Sequence, residues 1–384
     1  MAILNIKQNM KEIRRLIIFL ILTSLCLSIS GQVVVEDELP KVNFDTINQY
    51  FSGEKNKAKK NGLPIIAKED GFQIMISNKP IMFDIKEIIL KSPNEDKYPI
   101  SYSVIYKDKL ISLFEPGVFE CHTIPTMTRD TLFENLINTK RFQYHWLIDN
   151  KLIGYADNRY YCLNPNNIWA DFIPFTPITN QPKVFEDSTY IVFRDCFGEF
   201  GGTIYFYNKI DNKCHFTEAT CANTVYKRNN KYFILSHLGH MLGSTNLKEI
   251  SFPNDLPQIN LKDINKMNHF EAVGLLDTTN TAKTIFDFRG IEFFSTFNFQ
   301  GRTIYLACWQ DLTFLTEIVN NKILIVCPLS RDEYFTHEPI TTIYNNTILI
   351  NMNYYRFGRE REVSGILIRD NKLVKFDGNK NHSR

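Results

Sequence analysis

The chain has 384 residues, 44% apolar and 22% charged, with 17 Gly, 15 Pro and a formal charge of +2. This balance excludes collagenous, low-complexity and mostly disordered chains, and a single short apolar run excludes a multi-span membrane protein. The 30 Phe and 18 Tyr supply side chains that favour strands.

At the amino terminus, Lys7, Lys11, Arg14 and Arg15 precede an apolar run over residues 16–30 that ends in small residues. A basic flank, a short apolar core and small residues after it make a secretory signal peptide, here residues 1–31. The core falls short of the ~20 residues of a spanning helix, so no transmembrane segment is expected in the mature chain. The expected location is secreted, periplasmic or in the cell envelope. Cys26 follows Leu25 rather than a small residue, which argues against a lipoprotein. The leader removes four of the 44 basic residues and one of the 42 acidic ones, leaving 40 against 41. A near-neutral chain has no electrostatic footprint for nucleic acid. Seven cysteines remain: Cys121, Cys162, Cys196, Cys214, Cys221, Cys308 and Cys327. An oxidising compartment permits disulfides, and an odd count leaves a thiol unpaired. No CxxC supports a zinc site, and no metal or cofactor is expected.

Residues 32–70 read as a polar amino-terminal segment. Residues 71–376 read as one β domain, and residues 377–384 as a disordered tail. Across the β domain, apolar and aromatic runs such as YIVFRD, TIYFY, KYFILS and KILIVC alternate with polar turns. Two stretches differ. Residues 130–139 space Leu132, Phe133, Leu136 and Ile137 as a helix does. Residues 260–274 place Ile264, Met267 and Phe270 three apart, as a helix or a wrapped loop.

A turn signature of Asn or Asp followed by Lys recurs at Asn78, Asp108, Asn150, Asn212, Asn230, Asn321 and Asn371, with Asn346-Thr347 as a variant. Asn and Asp tolerate the left-handed backbone of tight hairpins. All eight are therefore expected to be hairpins of an antiparallel meander, and the sequon Asn345-Asn346-Thr347 reads as a turn. A meander of this size must avoid long exposed edges, and radial repetition of four-stranded sheets achieves that. The chain thus resembles β-propeller proteins in architecture, with six or seven blades, although no WD, kelch or Asp-box signature is present. Tandem β-sandwiches are the alternative.

Successive turns of a meander alternate between two edges. If the Asn-Lys hairpins share one edge, the chemically richer loops fall on the other. These include residues 115–117, 157–159, 195–202, 236–243, 330–338 and 356–362. The densest cluster holds Asp195, Glu199, Glu218, His237 and His240. Asp195, Glu199, His237 and His240 are the candidate catalytic residues, as carboxylate and imidazole groups suited to acid–base work on a sugar or ester. His237 and His240 form an HxxH without the helical register of a zinc hydrolase. The structural alternative has Gly198, Gly201 and Gly202 supply positive φ while Glu199 caps amides and the histidines bond to carbonyls of neighbouring blades. No GxSxG, P-loop or GxGxxG is present. The expected function is an exported module that binds a carbohydrate or protein partner, and the alternative is a secreted carbohydrate-active hydrolase or lyase.

Overall fold

The computed structural model describes residues 47–48, 51, 65–69, 71–90, 99–124, 126–173, 182–240, 243–264, 266–267, 271, 275–310, 312–330, 336, 338–352 and 365–377. All lie within Asn43–Arg384. The leader, most of residues 32–70 and the tail after Asp377 lie outside the described residues, and Asp377 itself belongs to the last strand rather than to a disordered tail.

Three strands come first: β1 (Ile65–Glu69), β2 (Phe72–Ile76) and β3 (Asp84–Ile89). Blade 1 is β4 (Pro99–Tyr106), β5 (Lys109–Phe114), β6 (Val118–Thr123) and β7 (Thr128–Arg129), followed by helix α1 (Thr131–Ile137). Blade 2 is β8 (Tyr144–Ile148), β9 (Lys151–Ala156), β10 (Arg159–Leu163) and β11 (Trp169–Phe172). Blade 3 is β12 (Lys183–Glu186), β13 (Tyr190–Arg194), β14 (Thr203–Asn208) and β15 (Cys214–Glu218). Blade 4 is β16 (Ala222–Arg228), β17 (Lys231–Leu238), β18 (Ser244–Ile250) and, after a long excursion, β20 (Ala282–Arg289). That excursion lends β19 (Gln258–Ile259) to the outer edge of blade 3 and contains α2 (Leu261–Ile264). Blade 5 is β21 (Glu292–Phe299), β22 (Arg302–Trp309), β23 (Leu312–Val319) and β24 (Lys322–Ser330). Blade 6 is β25 (Ile340–Tyr344), β26 (Thr347–Asn351), β27 (Gly365–Arg369) and β28 (Lys372–Asp377).

These six sheets make a six-bladed β-propeller, which resolves the blade count and sets aside tandem sandwiches. Within each blade every pairing is antiparallel, as short turns require. The two exceptions come from the amino-terminal strands. β2 pairs parallel with β24 on the outside of blade 5, and β3 pairs parallel with β28 on the outside of blade 6. Outer edges that would otherwise face solvent are thereby covered. The propeller sheets begin at Ile65, six residues before the change in sequence texture at Gly71.

The interior strands are buried on both faces, so strict alternation fails: Tyr190–Arg194 and Thr203–Asn208 are buried at every position. The reason is that each blade face packs on the next blade. One apolar cluster joins blades 1 and 2 through Leu113, Phe119, Phe142 and Trp169. Others join blades 3 and 4 through Phe206 and Ile234, and blades 5 and 6 through Phe294 and Ile350. Blades 4 and 5 meet through a Phe286, Phe293 and Tyr305 aromatic group. At Gly154 a Cβ would come within 2.5 Å of the Phe142 ring, so this strand position has room only for glycine.

Polar links run between blades beside these clusters. Ser103 N donates to Asn351 Oδ1 at 3.0 Å, and Asn351 Nδ2 donates back to the Ser103 carbonyl at 3.1 Å. Ser101 Oγ lies 2.5 Å from His145 Nδ1, while His145 Nε2 lies 3.2 Å from the Ile111 carbonyl. With the hydroxyl donating to Nδ1 and Nε2–H to the carbonyl, the ring is neutral. Burial pushes the His145 pKa down to about 4.

Helices α1 and α2 fall in the two irregular stretches. Asp130 caps α1 by accepting from Phe133 N at 3.0 Å, which explains why the helix starts there.

Candidate functional site

The blade topology sorts the turns as alternation requires. Seven of the eight signature turns are hairpins on one edge. They join first to second or third to fourth strands, around Asp108, Asn150, Asn212, Asn230, Asn321, Asn346 and Asn371. Left-handed φ at Asp108 (54°), Asn150 (58°), Asn212 (60°), Asn230 (61°) and Asn321 (60°) is the physical reason for their Asx residues. Asn78-Lys79 is different: it connects β2 in one blade to β3 in another, so it is a crossover and not a hairpin. The sequence signature marks polar reversals, and a blade change produces one as readily as a hairpin does.

The opposite, loop edge carries Asp195, Glu199, Glu218 and His240. The loop after β13 is fastened by a Cys196–Cys221 disulfide to the connection between blades 3 and 4. Gly198 and Gly201 have φ of 59° and 105°. Gly202 lies outside that region. It is glycine because a Cβ would come within 2.6 Å of the Asp195 carbonyl and 2.9 Å of the Ala219 carbonyl. Asp195 Oδ2 accepts from the Tyr205 hydroxyl at 2.6 Å. Glu199 and His240 are brought together, with Oε2 to Nδ1 at 2.9 Å, as an exposed pair (51% and 46%). His237 is not part of that pair. It is 1% exposed, takes a hydrogen bond from Asn223 Nδ2 at 3.3 Å and directs Nε2 to the Thr336 carbonyl at 3.4 Å. Its ring meets Phe294 of the next blade edge-on at 5.3 Å. Glu218 ends β15, and its carbonyl accepts from Lys248 Nζ at 2.7 Å.

On the same side, Arg194 is completely buried at the head of the channel. Its Nη2 donates to the Tyr102 hydroxyl at 3.0 Å and lies 3.5 Å from Glu338 Oε2. Tyr102 in turn donates to the Glu338 carbonyl at 2.8 Å. Residues of blades 1 and 3 and the segment entering blade 6 are thus clamped together at this end. A shallow polar cleft of about 780 Å³ lies between blades 1 and 2, with Glu115, Arg141 and Asp157 on its walls.

The central channel opens at the hairpin edge into a cavity of about 630 Å³. Its walls come from the lower ends of the innermost strands of blades 2 to 6: Leu147, Phe185, Tyr226, Phe297 and Tyr344 are one residue from each. Above it, a smaller cavity of about 90 Å³ shares Leu147, Lys183, Thr342 and Tyr344. The charges of the larger cavity form a network. Lys183 Nζ meets Glu186 Oε2 at 2.6 Å, and Lys209 Nζ meets Asp149 at 3.0 Å and Glu186 at 3.2 Å. Lys227 Nζ meets Asp187 at 3.0 Å, and Asp187 also accepts from the Tyr232 hydroxyl at 2.7 Å. Burial, acting first, lowers the Lys183 pKa, with Glu186 opposing it. For Asp187 the hydrogen bonds from Tyr190, Tyr232 and Lys227 outweigh burial and hold its pKa below the usual carboxylate value.

None of these cavity residues stands out in the sequence. Lys227 and Arg228 look like the polar flank of the Asn229-Asn230 turn, and Glu186 to Ser188 like any loop. The available signal is positional: most lie on an innermost strand or its first hairpin, and Lys209 lies in the hairpin after β14. That frame becomes readable only once the blade boundaries are known.

No family model matches the sequence, and no curated protein matches it. Among solved structures, the chain is similar to the AfRom2 CNH domain, with 8% identity, 73% of this chain and 94% of that chain covered, and a TM-score of 0.33. It is similar to the N-terminal domain of Nup159, with 6% identity, 78% and 86% covered, and a TM-score of 0.33. It is also similar to BamB from Moraxella catarrhalis, with 9% identity, 72% and 83% covered, and a TM-score of 0.28.

Proposed function

We propose that the chain is an exported binding module of the cell exterior or envelope that takes its ligand in the hairpin-edge cavity. The observation that carries this reading is the convergence of five innermost strands on one pocket of about 630 Å³, within the ~300–1,000 Å³ range of small-ligand sites. A propeller brings residues remote in sequence to its axis, and here they arrive as a pre-formed polar and aromatic wall. The Cys196–Cys221 disulfide supports the export reading, because such bonds persist in oxidising compartments. The basic flank and apolar core of residues 1–31 support it independently.

The alternative, a carbohydrate-active hydrolase or lyase using Asp195, Glu199, His237 and His240, is not favoured. His237 is sealed between blades, and the Glu199–His240 pair is half exposed on a loop.

The test is a thermal-shift screen of the purified mature chain against soluble saccharides and short peptides, repeated with Thr342→Trp. Thr342 lines both cavities, so the larger side chain fills their junction. A ligand whose shift disappears in the variant supports the reading. Ligands that keep their shift in Thr342→Trp contradict it.

A further inference from the structure

We propose that the hairpin-edge cavity binds an acidic saccharide, a short oligosaccharide bearing uronic carboxylates. The proposal rests on the binding-module reading above and names the ligand class for that site.

The first argument is charge. The walls hold four basic side chains, Lys183, Lys209, Lys227 and Arg228, against three carboxylates, Asp149, Glu186 and Asp187. All three lysines and all three carboxylates are engaged in the ion pairs described above. Arg228 is the exception. Among the described residues it has no carboxylate partner: Nη1 reaches only Thr303 Oγ1, at 3.4 Å, and the guanidinium lies 5.0 Å from the Phe233 ring centroid. The Phe233 ring and Thr303 hold the guanidinium at the cavity wall and leave most of its five donors unused. A guanidinium so placed matches a carboxylate, which it can bind through two parallel hydrogen bonds.

The second argument is the neutral wall. Asn298, Thr303 and Thr342 place amide and hydroxyl groups around the cavity, and Phe185, Tyr226 and Tyr344 contribute aromatic surface. Hydroxyl and amide groups exchange hydrogen bonds with sugar hydroxyls, and aromatic surface packs on the apolar faces of pyranose rings. The three wall carboxylates are paired and leave the walls with a surplus of only one positive charge, too little to hold a dense polyanion such as nucleic acid. One surplus cation among paired charges is matched by a single carboxylate, so one uronic residue of the sugar faces Arg228 while its neighbours meet the neutral wall.

The experiment is isothermal titration of the mature chain, at low ionic strength, with trigalacturonate, maltotriose and triglutamate. Trigalacturonate should bind, maltotriose should bind at least about tenfold more weakly, and Arg228→Gln should remove about that factor. Arg228 is exposed, so the variant should melt at the wild-type temperature. Equal affinity for maltotriose, or unchanged trigalacturonate affinity in Arg228→Gln, overturns the acidic assignment. Trigalacturonate binding that survives Thr342→Trp places it outside the cavity and overturns the proposal. Triglutamate binding that is lost in Thr342→Trp, with neither sugar bound, overturns the saccharide class and leaves the cavity reading standing. Binding of none of the three overturns the proposal, and the wider screen then decides the binding-module reading separately.

Discussion

At the loop edge the connection after β13 is cross-linked by Cys196–Cys221, and the polar groups are separate and held for separate reasons. At the hairpin edge most connections turn within a few residues, the excursion between β18 and β20 excepted, and the innermost strands end around one cavity. The difference shows that chemically rich loops and a binding site need not coincide. His237 bonds neighbouring blades, Asp195 anchors Tyr205, and only Glu199 and His240 meet in the open. The cavity residues act together across blades: Asp149 of blade 2 and Lys227 and Tyr232 of blade 4 join Lys183, Glu186, Asp187 and Lys209 of blade 3.

The largest expected effect concerns neither edge but the blade interior between them, and it tells whether both edges share one cooperative core. Burial lowers the pKa values of His145 and His122 to about 4 from the ordinary 6.5. Below pH 6.5 the unfolded chain takes up protons that these folded sites refuse. Stability is therefore full above pH 6.5 and falls as pH drops towards 4, each histidine costing at most about 1.4 kcal/mol for every pH unit crossed. Urea midpoints measured from pH 7 to pH 4 should fall steeply, and His145→Gln should flatten the curve. A pH-independent midpoint would contradict the buried neutral state.

The next effect is specific to the loop edge. Replacing both Cys196 and Cys221 by serine should cost about 2–4 kcal/mol in urea unfolding, since the bond closes a loop across 25 residues of sequence. Among the described residues the hairpin edge has no such staple and relies on backbone conformation. Asn150 has φ of 58°, so Asn150→Val should cost about 1–2 kcal/mol, while Asn150→Gly should be close to neutral. If the valine variant were as stable as wild type, the tight hairpin would not be the element that shapes this edge. The smallest effect belongs to the pair that the sequence makes most conspicuous. Glu199→Gln breaks an exposed ion pair and should change thermal stability by less than about 1 kcal/mol. A larger loss would mean that Glu199 organises its loop.

Much of the fold is legible in the residues. The apolar runs become strands, seven Asx turns become hairpins, and their alternation sorts the described loops onto the opposite edge, the 356–362 loop lying outside the described residues. Two features resist such reading. The parallel pairing of Ile74 with Ile323 joins segments far apart in the chain, and nothing in FQIMIS distinguishes a closing strand from a meander strand. The cavity residues are hidden for a related reason. Lys183, Asp187 and Arg228 acquire meaning only from neighbours in other blades, and strand texture does not mark which strand is innermost. The conspicuous groups misdirect for the opposite reason. A short motif such as SHLGH is equally suited to bonding a neighbouring carbonyl, and His237 does that.

The most direct measurement of where ligand binds compares one change at each edge in the same titration. Trigalacturonate affinity is measured for wild type, Thr342→Trp at the cavity and Glu199→Gln at the loop edge. The account predicts that Thr342→Trp abolishes binding and Glu199→Gln leaves it unchanged. Binding that survives in Thr342→Trp and is lost in Glu199→Gln would contradict it and move the site to the loop edge.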